Sequence, residues 1–403
     1  MILSKRSVIL ILLSALFTNS SSMIMVSYVP PFFLNLGIKA AIIQLIITAF
    51  FSTMFIFPPL FGKISDRFQK RFIFILIGTI GIIFTLFLMT ISNNLIFLII
   101  VLFFYGIFGS TLSIISTLYA ELVENDTKYI SYLNAVNVGG FFVGGLFGGM
   151  FIDIYGIEKL FLFSFIISLI GAIFIVFIKE NRSIILERYN LKTELNNKRI
   201  LETNVEMENC IPKSIYYSLF FRNFGIKPIL FTLAIIMSFH LNNNTLIGFL
   251  LGINFFFQIF QMVYIGRILT KKNYKLFILL GYSFSTIVIF IYIISIDFWG
   301  FLLCQILVSF SFSLHWITII TYIAQNSTPE NKGKLISYAS SSSFAGNVFG
   351  GLLFSLLLFI FNSDYYSAMY FMIIFPAISI IIILLKFEPK QRILMNSKND
   401  LDS

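Results

Sequence analysis

The chain has 403 residues, of which 58% are hydrophobic and only 11% are charged. A soluble domain carries about a quarter charged residues, so this composition excludes an ordinary globular protein and indicates an integral membrane protein. A formal net charge of +10 would suggest nucleic-acid binding in a soluble protein, but in a membrane protein it is first tested against topology.

Apolar segments long enough to cross a bilayer recur along the whole chain. A helix needs about 20 apolar residues to span a hydrocarbon core of roughly 30 Å. We therefore predict an all-α fold with twelve transmembrane helices, at residues 7–28, 40–61, 72–91, 95–120, 132–152, 159–178, 226–241, 245–265, 275–296, 298–323, 335–360 and 366–386.

Two of these segments need further argument. The first resembles a signal peptide, with Lys5 and Arg6 before an apolar run, but hydrophobicity resumes at Met23, so we expect an uncleaved helix. The seventh is short. Because the flanking segments 179–227 and 266–275 are both rich in Lys and Arg, they are expected on one side of the membrane, which requires a helical hairpin between them.

The distribution of basic residues predicts the orientation. With twelve helices and the N-terminus in the cytoplasm, only Lys39 and Lys159 are predicted on the outer side. The excess positive charge then reports topology and gives no reason to expect nucleic acid as a partner. We expect a multi-pass protein of the cell membrane, plasma or inner, with both termini in the cytoplasm.

The longest polar stretch divides the predicted helices six and six. We predict an N-terminal bundle at 1–178, a cytoplasmic linker at 179–225 and a C-terminal bundle with a short tail at 226–403. The halves repeat one another, since ISYLNAVNVGGFFVGGLF from Ile130 matches ISYASSSSFAGNVFGGLL from Ile336. Such repeated halves, related by pseudo-twofold symmetry, are typical of transporters whose substrate site lies near the midplane between them.

A dense cluster of charge, GKISDRFQKR at 62–71, stands between the second and third predicted helices. The second half carries a weaker copy, GRILTKKNYK, after the eighth helix. Together with the repeat, this motif resembles that of the major facilitator superfamily (MFS). The resemblance implies a conformational gate, and not a substrate site, formed by Gly62, Asp66, Arg67, Lys70 and Arg71. The alternative is a topology signal, which explains the bases but not Asp66 or Gly62.

The function that the resemblance implies is secondary transport of a small solute by alternating access. A multidrug or lipophile efflux antiporter and a polytopic membrane enzyme are the alternatives. The fourth-helix arginine that the family associates with proton coupling falls at Leu102, which leaves coupling open. The chain shows no metal-ligand spacing, P-loop or catalytic cluster, so we expect no enzyme activity, metal or cofactor. The expected partners are the solute, the bilayer and, as an open question, protons; we expect a monomer.

Polar side chains inside the predicted helices are the candidates for the substrate pathway, because such residues are costly in a bilayer and usually functional. The sequence predicts no Asp, Glu, Lys or Arg at mid-depth, which favours a neutral or amphiphilic solute and leaves His315 as the candidate proton site. Hydrogen bonding between helices is the alternative role for each candidate. The pathway candidates are Asn19, Asn137, Asn254, Gln258, His315 and Asn347. A close packing seam is predicted for the glycines Gly140, Gly144, Gly145 and Gly148.

Overall fold

The computed structural model describes residues 5–68, 71–92, 94–123, 127–178, 211–270, 272–327 and 331–388. Within these ranges the chain forms fifteen α-helices and two short 3₁₀ turns, and no strand. Eleven helical segments are long and apolar enough to cross a membrane. The chain is therefore an all-α integral membrane protein, as its composition predicts.

The helices form two halves of six segments each. The first half contains α1 (Lys5–Asn35), α2 (Ala40–Phe68), α3 (Arg71–Ile91), α4 (Leu95–Gly109), α5 (Ser113–Leu122), α6 (Thr127–Tyr155) and α7 (Leu160–Val176). The second half contains α8 (Lys213–Phe231), α9 (Leu233–Ser238), α10 (Asn244–Ile268), α11 (Tyr274–Ile294), α12 (Phe298–Gln325), α13 (Lys332–Ile360), α14 (Tyr365–Met372) and α15 (Ile374–Lys386). Three pairs, α4 with α5, α8 with α9 and α14 with α15, each make one segment.

Successive segments run in opposite directions, so the bundle has two ends. We call the end at the α2–α3 junction the charged end and the end at the α1–α2 junction the far end. Several helices begin at the far end with a polar N-cap, a residue type that accepts hydrogen bonds from the otherwise unpaired first N–H groups. These caps are Asn94 for α4, Asn243 for α10, Asp297 for α12 and Asp364 for α14.

The seventh segment begins earlier than the sequence suggested. The prediction placed it at 226–241, but α8 begins at Lys213 and packs against α13 and α15. Arg222 and Lys227 therefore lie inside the bundle, and the prediction that no charged residue occurs at mid-depth is wrong. These two cations lower the local hydropathy, which is why an apolar-run criterion moves the start of the helix past Arg222. With this boundary, the linker of the proposed domain scheme ends near residue 212.

The sequence repeat is also a structural repeat. Glycines on α6 pack directly against the backbone of α1, and glycines on α13 pack in the same way against α8, where an added Cβ would overlap backbone atoms. A second set faces the other half of the molecule, with Gly145 against α10 and Gly351 against α2. The close approach explains why small residues occur at matching positions in both halves. The first set comprises Gly140 and Gly144 on α6 and Gly346 and Gly350 on α13.

Candidate functional site

The halves meet along two helix pairs, α6 with α10 and α2 with α13. Among the described residues, the hydrogen bonds and ring contacts between the halves lie between mid-length and the far end. Phe51 of α2 stacks on Phe231 of α8 with ring centroids 3.7 Å apart. Nearer the charged end, α6 and α13 carry exposed polar side chains, Asn134 and Ser341. In this conformation the halves are sealed together at the far end and separate toward the charged end.

A carboxylate joins the halves at the far end. Asp153, in the last turn of α6, accepts hydrogen bonds from the backbone N–H groups of Asn244 and Thr245 (3.0 and 2.7 Å). It also accepts them from the Asn244 amide (2.9 Å) and the Thr245 hydroxyl (2.6 Å). These donors belong to the first turn of α10, where unpaired N–H groups and the helix dipole both favour a negative charge. The sequence analysis missed this residue, which directly follows the predicted span 132–152.

A cavity of about 210 Å³ lies between α1, α5 and α6. Two of the predicted pathway residues line it and contact each other, since the Nδ2 of Asn19 donates to the Oδ1 of Asn137 at 3.0 Å. The same Nδ2 donates to the carbonyl oxygen of Ala15 at 2.7 Å. Both side chains are half-buried, so this part of the first half presents neutral hydrogen-bonding groups to the cavity.

The repeat places an equivalent pair in the second half. Gly144 packs on the carbonyl of Ser20 as Gly350 packs on that of Phe224, so Asn19 of α1 corresponds to Asn223 of α8. The Nδ2 of Asn223 donates to the Oγ of Ser343, which matches Asn137 in the sequence repeat. Sequence reasoning missed Asn223 because it assigned this residue to the linker.

Arg222 is the most deeply buried charged side chain that the structure describes, with 1% of its surface exposed. Its Nε donates to the Oγ of Ser285 at 2.9 Å and its Nη2 to the Oγ of Ser311 at 3.1 Å. Its Nη1 donates to the Oδ1 of Asn223 at 2.9 Å. The guanidinium thus joins α8 to α11 and α12 through neutral acceptors. His315 lies beside this group, with its Nδ1 2.6 Å from the carbonyl oxygen of Ser311.

Lys227 lies near the middle of the segment formed by α8 and α9. Its side chain is half-buried, and its Nζ lies 5.9 Å from the centroid of the Phe312 ring on α12. That arrangement is a cation–π contact, in which the ring face attracts the ammonium. The Phe312 ring in turn meets the His315 ring edge-on at 5.6 Å.

The remaining pathway candidates lie apart from the Asn19–Asn137 pair. Asn254 and Gln258 are on α10 and Asn347 is on α13. The Oδ1 atoms of Asn254 and Asn347 are buried and have no hydrogen-bond partner among the described residues. Buried acceptors of this kind are rare, so both stay candidates for contact with a solute or water.

The predicted gate lies at the charged end. Gly62 is in the last part of α2, with open space around the position of an added Cβ. Arg67 is exposed, and Arg71 begins α3. Lys70 and the side chain of Asp66 fall outside the described part of the chain, so the gate stays a prediction.

Sequence and structure comparisons point to one family. The Major Facilitator Superfamily model matches residues 10–198 and 215–399, whereas no curated protein matches the chain. The POT family transporter PepTSo has a TM-score of 0.76 and 13% identity, over 95% of this chain and 98% of that one. The nucleoside transporter NupG has a TM-score of 0.72 and 14% identity, over 95% and 98%. The human organic anion transporter MFSD10 has a TM-score of 0.64 and 14% identity, over 94% and 99%. At these identities only the fold is shared.

Proposed function

The chain belongs to the Major Facilitator Superfamily, and we propose that it is a secondary transporter that moves a small solute across the cell membrane by alternating access. In such a mechanism the two halves rock about a central site, which opens first to one side of the membrane and then to the other. The internal repeat supports the proposal, because matched halves can form matched closures. We propose transport, and not catalysis, as the activity of this fold.

The observation that carries the proposal is the contact surface between the halves, here called the seam, which is closed only from mid-length to the far end. Contacts run from the Asp153 hydrogen bonds at the far end to the stacked rings of Phe51 and Phe231 at mid-length. A carrier needs this arrangement, since a site open to both sides at once would leak solute. We propose that the gate with Asp66 and Arg67 closes the charged end in the other state.

The positive-inside rule supports an orientation for this conformation. Arg67, Arg71, Arg267 and Lys275 all lie toward the charged end, which we propose to be the cytoplasmic side. The described conformation is then open toward the cytoplasm and closed toward the outside. The first described helix begins at that end, at Lys5, and the last one ends there, at Lys386.

The site residues are assigned roles within this scheme. We propose that the solute binds between the halves at mid-depth, where Asn19 and Asn137 line the cavity of the first half. Further candidates for solute contact are Asn254, Gln258 and Asn347. Among the described residues at that depth, His315 is the candidate for any proton coupling, because histidine is the side-chain type whose unperturbed pKa lies near neutral pH.

A reversible cross-link across the far end tests alternating access. The Oγ of Ser355 on α13 donates to the carbonyl oxygen of Ala41 on α2 at 2.7 Å, so cysteines at these two positions are adjacent when the far end is closed. The test uses the double variant Ala41→Cys/Ser355→Cys in a background without Cys210 and Cys304. In proteoliposomes, we expect a short thiol-reactive cross-linker that forms disulfides with both cysteines to abolish solute exchange. Reduction should restore it.

The control is the Ser355→Cys single variant, which the same reagent should leave active. Exchange is measured with a panel of radiolabelled neutral and charged solutes, with and without a pH gradient. Full activity of the cross-linked double variant would overturn the proposal, because a locked far end cannot admit solute from outside.

A further inference from the structure

Two cations lie within the second half without an acidic partner. Among the described residues, neither Arg222 nor Lys227 has a carboxylate within ion-pairing distance, and the acceptors of Arg222 are all neutral. A charged side chain inside a membrane protein is costly and is usually retained because it pairs or functions. The acids whose side chains are described all lie near helix ends, at Asp153, Glu158, Asp297, Asp364 and Glu388. None of these described side chains balances the charge of Arg222 or Lys227.

The side chain of Lys227 faces the space between the halves. Residues four apart on a helix share a face, so Lys227 projects on the same side as Phe231. Phe231 stacks on Phe51 of the other half, which fixes the direction of that face. Lys227 thus lies one helical turn from the stacked rings of Phe51 and Phe231, on the side nearer the charged end, where the halves separate.

Arg222 reinforces this positive charge from within the bundle. It lies five residues before Lys227, about 7.5 Å along the helix axis. Both cations reach the same turn of α12, Arg222 through the hydroxyl of Ser311 and Lys227 through the ring of Phe312. The two charges therefore act on one small region of the second half.

The first half carries no such charge at the matching positions. By the repeat, Arg222 corresponds to Thr18 and Lys227 to Met23. Thr18 donates to the carbonyl oxygen of Ser14 in its own helix at 2.9 Å, and Met23 is buried and apolar. The first half thus presents neutral amides to its cavity, whereas the matching helix of the second half carries two cations.

We propose that the solute carries an anionic oxygen group, a carboxylate or a phosphate, that binds at Lys227 with Arg222 behind it. Its neutral polar part then faces Asn19 and Asn137. This inference rests on the proposed function and names its substrate class. It replaces the sequence-based expectation of a neutral solute, which depended on the absence of charge from the spans.

A native tryptophan reports on this site without any need for transport. Trp316 stacks on Phe312, the ring that Lys227 contacts, with centroids 6.0 Å apart. The other tryptophan, Trp299, is 71% exposed at the far end and is removed by Trp299→Phe. We compare quenching of Trp316 by iodide, an anion, and by acrylamide, which is neutral, in the purified full-length chain in neutral detergent.

We expect Lys227→Gln to lower the iodide quenching constant about threefold or more and to leave the acrylamide constant unchanged, since local charge concentrates anions. Lys227→Arg should retain iodide quenching. The control is Lys334→Gln, which removes a lysine that also lies over an aromatic ring, Tyr338, but at the charged end of α13. Equal iodide quenching in the wild type and in Lys227→Gln would overturn the inference.

Competition identifies the chemistry of the anion. Benzoate or phenyl phosphate should protect Trp316 from iodide, whereas benzamide should not. Protection by phosphatidylglycerol vesicles but by neither soluble anion would assign the cations to a lipid headgroup and overturn the inference. In proteoliposomes, a wild type that exchanges no solute would count against the proposed function alone. Exchange of anionic solutes at the same rate by wild type and Lys227→Gln would overturn the inference alone.

Discussion

At the level of single residues, Asp153 caps a helix of the other half, whereas Asp297 and Asp364 cap their own helices. Asp297 and Asp364 each accept hydrogen bonds from the first turn of their own helix. Asp153 lies on α6 but accepts from the first turn of α10, in the other half. If the halves move as proposed, we expect its hydrogen bonds to break when the far end opens, whereas those of Asp297 should persist.

We expect Asp153→Asn to shift the protein toward the conformation with an open far end. The asparagine retains one acceptor oxygen and loses the charge, and hydrogen bonds to charged groups contribute about 1–2 kcal/mol more than neutral ones. The open population should rise by roughly 5- to 30-fold. The measurement is labelling of Ser355→Cys by a membrane-impermeant maleimide, in the background without other cysteines.

Asp297→Asn is the matched control for that variant. It removes the same charge from the same end of the molecule. Asp297 accepts a hydrogen bond from the backbone N–H of Gly300 at 2.8 Å, and both residues belong to one half. Its labelling should equal that of the parent. Equal labelling of all three proteins would mean that Asp153 does not hold the far end closed.

At the level of whole elements, α6 carries glycines on two faces with different duties. Gly144 faces α1, within its own half, and Gly145 faces α10, across the seam. In the proposed rocking motion, contacts within a half should persist, whereas contacts between the halves should break. Adjacent glycines of one helix are thus expected to affect stability and conformation separately.

We expect Gly144→Ala to lower thermal stability and Gly145→Ala to open the far end. A Cβ added at Gly144 would overlap the backbone of Ser20, and overpacking of this kind costs about 1–3 kcal/mol. At Gly145 the new Cβ would lie 3.0 Å from the carbonyl oxygen of Gly248 in the other half. This close contact should push α6 and α10 apart. The measurements are the melting temperature and the labelling of Ser355→Cys. Gly139→Ala, with open space around its Cβ, is the control; identical behaviour of the variants at Gly144 and Gly145 would contradict the division.

The sequence predicted the helices far better than it predicted the site. Long apolar runs mark spans directly, so only the segment with Arg222 and Lys227 was misplaced, because buried charge resembles a loop when read by hydropathy. The repeat could have corrected this boundary. It matches the turn after α2 to the turn after α10, and the same offset places Asn223 at the position equivalent to Asn19. The role of Asp153 could not be predicted from the sequence, because it depends on which helix of the other half lies opposite this residue.

At the level of the whole molecule, two acids of the first half lie at opposite ends of the membrane segments. Asp153 closes the far end in the described conformation, and Asp66, near the end of α2, is the proposed latch of the charged end. If each stabilises closure at its own end, their removal must bias the molecule in opposite directions. That opposition separates a latch from a residue needed only for folding.

We expect Asp66→Asn to slow solute exchange about tenfold while lowering the labelling of Ser355→Cys. Loss of the charged-end latch destabilises the conformation that is open at the far end, and about 1.4 kcal/mol suffices for a tenfold shift. Protein yield and melting temperature in detergent provide the control for folding. Unchanged exchange would reduce the motif at 62–71 to a topology signal.

The chemical character of the seam changes along its length, with a consequence for how fast it parts. At mid-length it consists of aromatic rings, Phe51 on Phe231 and Phe55 on Phe344, which leave no donor or acceptor stranded in hydrocarbon when they separate. At the rim it consists of hydrogen bonds, to Asp153 and from Ser355 to Ala41, which water can replace as they break. If the halves part as proposed, we expect the activation barrier to come chiefly from lost dispersion between the rings, a contribution that grows with their contact area. The rings at mid-length, and not the polar rim, should then set how fast the halves part.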